Sequence, residues 1–183
     1  GNVLHIGSST GVLTNQLANN LKGRNAEITG IEIDSKMIKE AQSRNYEKNL
    51  TFINEDINSY DIGKNCNNLI ISYYTIQFIH PSLRQSVIEK IYESLMWGGA
   101  FIMFEKVRGS DARFQDIFNC FYQEYKIKKG YNSDEVLAKQ KSLKSILEPF
   151  SRQGNLDMLK RAKFVDIESI MKYACFEGFL AIK

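Results

Sequence analysis

Residues 1–11 read GNVLHIGSSTG, and the fold is decided there. Val3 to Ile6 is a short apolar run, as expected of a buried strand. Gly7 ends it, and Ser8, Ser9, Thr10 and Gly11 make a turn of small residues. From Val12 the apolar spacing becomes helical, through Leu13, Leu17 and Leu21. A strand, a glycine turn and a helix in succession let backbone N–H groups approach a ligand at a helix N-terminus. The same connection also serves as a plain tight turn in α/β proteins, so it does not by itself imply a ligand. Glu32 adds weight, near the end of the next strand in AEITGIEID (26–34). A carboxylate in that place can accept hydrogen bonds from two ribose hydroxyls. Turn and carboxylate together point to a nucleoside-bearing cofactor across the carboxyl edge of a parallel sheet.

The 183 residues suffice for one domain with a real core, and residues 1–183 are read as one domain. Apolar content of 43% and charged content of 25% are ordinary for a soluble globular chain. A net charge of +3 is too mild to argue for direct nucleic-acid binding. Cys66, Cys120 and Cys175 are widely spaced with no C-x-x-C, and only His5 and His80 could join them as metal ligands. Neither a disulfide framework nor a metal site is expected, and a reducing, cytoplasmic setting fits. No apolar run reaches membrane-spanning length and no signal peptide is visible, so no membrane partner is expected. The chain starts on a strand without a methionine, which points to a fragment whose upstream part is missing.

Further along, Ile28 to Ile33 reads as strand two, and Ser35 as the cap of a helix with Met37, Ile38 and Ala41 inward. Leu50 to Ile53 is strand three, followed by the acidic turn NEDI, and Leu69 to Tyr74 is strand four. Pro81 opens a helix with Leu83, Val87, Ile91 and Leu95 as its inner stripe, stopped by Gly98 and Gly99. Ala100 to Phe104 is apolar throughout, as in a central parallel strand. Residues 111–128 and 134–147 then read as two helices with no strand between them, the second ended by Pro149, and 155–162 as another. Phe164 to Tyr173 and Phe176 to Ile182 alternate apolar with polar residues, as an antiparallel pair does. The architecture is a Rossmann-like α/β fold. Five parallel βα units build most of a seven-stranded sheet with a reversed last strand. Helices lie on both faces, and two inserted helices sit between strands five and six, above the edge where ligands bind.

That order matches the class I methyltransferase fold, and the chain resembles one of its branches, the carboxy-S-adenosylmethionine synthase family. The resemblance rests on VLHIGSSTG, GIEIDSKMI, FINEDI, YYTIQFIHPSLRQ, IEKIYESLMWGGAFIMFEK, KKGYNSDEV and NLDMLKRAKF, which run in order from end to end. It implies S-adenosyl-L-methionine as cofactor. Gly7, Ser8, Ser9 and Gly11 would wrap its amino-acid end, and Glu32 would hold the ribose. Ile33 and Met37 would line the adenosine pocket. Asp56 would accept from the adenine amino group, with Ile57 against the ring. Ser72 to Thr75 would lie under the sulfonium. On the substrate side it points to Tyr131 of the GY motif and to Gln140, with Lys141 beside it, where the family carries a carboxylate-binding arginine. Other departures from the family pattern are His5 for an acid, Tyr73 for an asparagine, Trp97 for a proline and Lys163 for a glycine.

The residues themselves leave alternatives open. Aromatic faces suit a sulfonium cation, and Tyr73, Tyr74 and Phe78 cluster in sequence. Tyr73 is read as a pocket residue because the strand runs out there, and Tyr74 and Phe78 as core. Asp56 alone would be a solvated loop carboxylate; in register with Glu32 it is read as a ligand. His5 is read as a core histidine. Glu105 and Lys106 end strand five and either pair or face solvent, and the clusters at Lys126, Lys128 and Lys129 and at Lys160, Arg161 and Lys163 are read as solvated helix faces. The leading expectation is an S-adenosylmethionine-dependent methyltransferase acting on a small or carrier-tethered acceptor, with no catalytic residue assigned. Its first rival is a carboxy-S-adenosylmethionine synthase using prephenate and feeding modification of a tRNA wobble uridine. A second rival is a scaffold without turnover. A nicotinamide enzyme is disfavoured because the turn lacks the middle glycine of G-x-G-x-x-G. The resemblance implies a homodimer through the inserted helices, where Phe114, Ile117, Phe118, Phe121 and Tyr122 offer an apolar face that could equally cap this chain's own sheet.

Overall fold

The structure is a computed structural model, and it describes residues 1–44 and 47–183. Seven strands form one sheet: β1 (Asn2–Ile6), β2 (Glu27–Glu32), β3 (Leu50–Asn54), β4 (Asn67–Tyr73), β5 (Leu95–Lys106), β6 (Asp166–Tyr173) and β7 (Phe176–Ile182). The helices are α1 (Val12–Asn20), α2 (Ser35–Ser43), α3 (Pro81–Ser94), α4 (Ala112–Lys128), α5 (Ser133–Leu143) and α6 (Arg152–Arg161). The spatial order is β3-β2-β1-β4-β5-β7-β6. Neighbours from β3 to β5 pair in parallel, and β7 runs antiparallel to both β5 and β6. The chain order reverses direction across the sheet between β1 and β4, the switch point at which open α/β sheets bind ligands.

Side chains alternate across the sheet. Leu4, Ile6, Ile70, Phe101, Met103 and Phe179 pack on one face with Val87, Ile88 and Ile91 of α3 and Met158 and Leu159 of α6. Val3 and Ile28 point to the other face and meet Ala18 of α1. Burial on both faces explains why the central strands read as unbroken apolar runs.

Several boundaries differ from the sequence reading. Asp34, not Ser35, caps α2: its carboxylate accepts from the N–H of Lys36 at 2.8 Å and of Met37 at 3.3 Å. The buried stripe of α3 is Arg84, Val87, Ile88 and Ile91, while Leu83 is 44% exposed. That helix ends at Ser94, before the glycines, because Leu95 already pairs with Asn67 in the sheet. Gly98 lies within β5 at φ +74°, and its N–H reaches the Lys183 carbonyl at 2.7 Å. No helix links β3 to β4. Residues 55–66 run as turns that bury Ile57 and Ile62, so one of the five expected βα units lacks its helix. The second inserted helix stops at Leu143, well short of Pro149. No described helix is long and apolar enough to cross a membrane.

Candidate cofactor and substrate site

Glu32 organises the open end of the parallel strands. Its side chain is half-buried, and each carboxylate oxygen takes one backbone donor: Oε2 from the N–H of Ser9 at 2.9 Å, and Oε1 from the N–H of Asp34 at 3.0 Å. The carboxylate therefore fastens the glycine turn to the entry of α2, and each oxygen keeps a second lone pair for a ligand hydroxyl. Asn54, at the end of β3, donates to the carbonyls of Glu32 and Ile33 at 2.8 and 3.0 Å and fixes the strand end. The Ser9 hydroxyl lies 3.4 Å from the Met37 sulfur. Ile33 is 66% and Met37 40% exposed, so two apolar side chains stand open beside the carboxylate. Met37 thus lies at the rim of this groove and not on the inner face of α2.

The turn is shaped by contact as much as by hydrogen bonding. Gly7 has φ +73°, and a Cβ there would collide with the Thr75 hydroxyl, so only glycine lets the ends of β1 and β4 meet. Its donors do not point outward as the sequence suggests. The N–H groups of Gly7 and Ser8 both go to the Ile31 carbonyl at 2.8 and 2.9 Å, and Gly11 N–H goes to the Ser8 carbonyl at 2.9 Å. Ser8 is buried and its hydroxyl has no partner. What remains for a ligand is the start of α1, whose N-cap residue Gly11 offers no side-chain cap to the first-turn N–H groups.

Asp56 follows in the loop after β3. Its Oδ1 accepts from the backbone and side-chain amides of Asn58 at 2.9 and 2.7 Å, and no hydrogen bond from the described residues occupies Oδ2. Ile57 packs in the main core at 7% exposure, whereas Ile33 and Met37 stand open. Tyr73 is 46% exposed at the end of β4, with its ring 4.5 Å from Tyr74 and 5.4 Å from Phe104. Ser72 is fully buried beneath it with an unpartnered hydroxyl. His5 is buried and neutral: its Nδ1 meets the Thr14 hydroxyl at 2.8 Å, and burial lowers its pKa to about 4. Shut inside the core, it has no access to a ligand in the groove.

Residues 3–99 match the family model for a methyltransferase domain. The chain is 36% identical to the carboxy-S-adenosyl-L-methionine synthase of Nautilia profundicola, over 99% of this chain and 76% of that one. It is 36% identical to the synthase of the same name from Staphylococcus epidermidis, over 100% and 78%. The chain belongs to the carboxy-S-adenosyl-L-methionine synthase family. Its fold is that of S-adenosylmethionine-dependent methyltransferases. The Haemonchus contortus phosphoethanolamine N-methyltransferase 2 complex with S-adenosyl-L-methionine superposes at TM-score 0.74 and 14% identity, covering all of this chain and 48% of that one. The human N-acetylserotonin methyltransferase complex gives 0.68 at 16% identity, covering all of this chain and 47% of that one.

In this synthase-family chain the substrate-side residues lie apart from the Glu32 groove. Tyr131, Gln140 and Lys141 line a cleft of about 1470 Å³ between α4, α5 and the ends of β4 and β5. Gln140 accepts a hydrogen bond from Gln123 of α4 at 3.3 Å, which ties the two inserted helices together. Tyr74 and Phe78, read from sequence as core, line this cleft, and Phe78 is 46% exposed. Lys126, read as part of a solvated face, lies half-buried over the Tyr122 ring at 4.3 Å.

Sequence reasoning missed the support under the site. Arg84 is 2% exposed and donates to the carbonyls of Ile79, Glu148 and Gln77 at 2.8, 2.6 and 2.8 Å, with Phe150 under its guanidinium. Glu105 is equally buried and accepts from the N–H of Ile76 at 3.1 Å; burial outweighs nearby Arg84 and lifts its pKa to about 8. Together they hold the 3-10 turn Ile76–Phe78 after β4. The one available signal was the stretch TIQFIHPSLRQ, which contains Arg84. Lys90 does similar work below Asp56, donating to the carbonyls of Ile57, Asn58 and Tyr60 at 2.8, 3.0 and 3.1 Å.

Proposed function

We propose that this chain binds S-adenosyl-L-methionine in the Glu32 groove and converts it to the carboxylated cofactor, the product its relatives' name carries, with prephenate as the co-substrate. The residues fit the cofactor. Each Glu32 oxygen keeps a lone pair, Asp56 Oδ2 is open, Ile33 and Met37 are bare, and the first-turn N–H groups of α1 have no side-chain cap. Bound there, the cofactor would supply a sulfonium, whose charge acidifies the neighbouring methyl C–H that must give up its proton for the incoming carboxyl group. The chain holds its ribose through Glu32, its adenine through Asp56, and its amino-acid end beside Gly7, Ser8, Ser9 and Gly11. Tyr73 offers an aromatic face to the cation.

The observation that carries the carboxylation reading is the cleft beside this groove, lined by six lysines and a single carboxylate, Glu135. Glu135 is already engaged by the Asn132 N–H at 2.8 Å. Such a charge excess suits a co-substrate that carries carboxylates. The decisive experiment is mass spectrometry of the cofactor formed by full-length protein with S-adenosylmethionine and prephenate. A product heavier by one carboxyl group is expected. Only S-adenosylhomocysteine and a methylated acceptor would favour the second reading, methyl transfer to a small or tethered acceptor. That reading draws on Gln140, a neutral side chain that cannot give a bidentate charged grip.

The carboxylated product would then feed tRNA wobble-uridine modification by a separate enzyme. Assembly as a homodimer through α4 accords with a helix that buries none of its own residues and exposes Phe114, Ile117 and Phe121. A reducing, cytoplasmic setting accords with three free cysteines.

A further inference from the structure

Two ammonium groups converge on one ring inside the cleft. Lys106, at the end of β5, places Nζ 5.3 Å from the centre of the Tyr122 ring, and Lys126, one turn further along α4, places its own at 4.3 Å. One cation satisfies such a ring; a second adds like-charge repulsion at short range. Among the described residues neither lysine forms a salt bridge. The repulsion registers in Lys126, whose pKa is lowered by burial and then by the charges of Lys106 and Lys139. The pair is also not adrift on the surface. Tyr122 packs edge-on against Phe176 at 5.2 Å, Phe176 against Tyr74 at 5.6 Å, and Tyr74 against Tyr73 at 4.5 Å. A continuous aromatic wall thus runs from the end of β4, beside the cofactor groove, to the two ammonium groups.

We propose that Lys106 and Lys126, set across Tyr122, form the seat for a carboxylate of the co-substrate, a small ring-bearing organic acid. This rests on the carboxylation reading given above. A carboxylate that reaches both ammonium groups at the edge of the ring offsets their repulsion and gains charge-assisted hydrogen bonds, while the ring of the acid lies on the aromatic wall. Carboxylate recognition in this chain therefore comes from β5 and α4. Gln140 braces α5 against α4, and Lys141 on α5 is exposed.

The test uses full-length protein and two probes, prephenate and malonate, with lysine side-chain NMR following Lys106 and Lys126 and calorimetry giving Kd. Both probes are expected to shift the two lysine signals and to raise the Lys126 pKa. Lys126→Met and Lys106→Met are expected to weaken prephenate about tenfold each. Lys126→Arg is expected to keep affinity within about threefold, with melting temperature and S-adenosylmethionine affinity as the controls for folding. If neither probe moves these two signals, or if the Met variants bind prephenate as tightly as the parent, the seat is wrong, whatever product the enzyme forms. If the signals move but no carboxylated cofactor is made, the seat stands and the carboxylation reading fails.

Discussion

Replacing Glu32 by glutamine tests the site at its centre. The carboxylate accepts from the backbone of Ser9 and Asp34, and on the proposed function it also presents its remaining lone pairs to the sugar. A glutamine keeps one oxygen and turns an NH2 group toward one of the two backbone donors. A hydrogen bond to a charged group contributes about 1.5–3 kcal/mol, so losing the charge and one acceptor costs roughly 2–3 kcal/mol of binding, or about 30- to 150-fold in Kd. The clash with one backbone donor costs about 1 kcal/mol of folding, a fall of roughly 2–4 °C in melting temperature for a chain of this size. Calorimetry with S-adenosylmethionine and S-adenosylhomocysteine gives the first number. A double-mutant cycle separates the two tasks, pairing Glu32→Gln with the 2′,3′-dideoxy analogue of S-adenosylhomocysteine. If Glu32 grips the ribose, parent and variant should bind the dideoxy ligand within about threefold of each other. An equal loss for both ligands would mean that Glu32 only braces the turn. No loss for either would remove the nucleoside from this groove.

Gly7→Ala should lower stability by about 2–4 kcal/mol, because the methyl group meets Thr75 at a positive φ; Thr75→Ala added to it should recover part of the loss in a denaturant melt. Two buried groups give opposite pH slopes. Burial lifts the folded pKa of Glu105 to about 8 from the ordinary 4.5, so the folded state holds a proton that the unfolded chain releases, and stability falls as pH rises across that window. His5 has a folded pKa of about 4 against 6.5, so the unfolded chain binds the extra proton and stability falls as pH drops from 6.5. Between pH 6.5 and 8 Glu105 acts without His5, and Glu105→Gln should flatten denaturant-measured stability there, whereas an unchanged slope would locate it elsewhere. Ile117→Glu should turn a dimer into a monomer in sedimentation velocity if α4 is the assembly face, since Ile117 is 51% exposed and a charge there would be buried by a partner.

The sheet was legible because its information is local. Val3 to Ile6 is apolar but for His5 and buried on both faces, and Ala100 to Phe104 is apolar throughout, with Phe101 and Met103 buried and Ala100, Ile102 and Phe104 half-buried on the other face. Periodicity failed where a distant residue completes an element. Arg84 occupies the inner face of α3 because the carbonyls of residues 77, 79 and 148 converge there, and no window of α3 contains that fact. Gly98 reads as a helix stop but continues a strand, because the carboxyl-terminal Lys183 closes hydrogen bonds on both glycines. The donors of the glycine turn read as free, yet they close on Ile31 and Glu32, one strand away.

Charge was the least legible property, and it bears most on function. A net charge of +3 conceals a division of labour. The groove end of the sheet carries Glu32, Asp34, Glu55 and Asp56, while the cleft beyond Tyr74 carries six lysines. On the proposed function a positively charged cofactor would be drawn to the first end and a carboxylate to the second. The two regions touch at Tyr73 and Tyr74, which place apolar faces and no formal charge between them. A sulfonium and a carboxylate seated on either side of that wall, as proposed, would attract each other. On this account added salt should weaken prephenate binding steeply and S-adenosylmethionine binding weakly, since only the first ligand depends on a field made by exposed lysines. Parallel salt dependence for the two ligands in calorimetry between 50 and 500 mM salt, about a threefold change in Debye length, would show that the cleft does not supply that field.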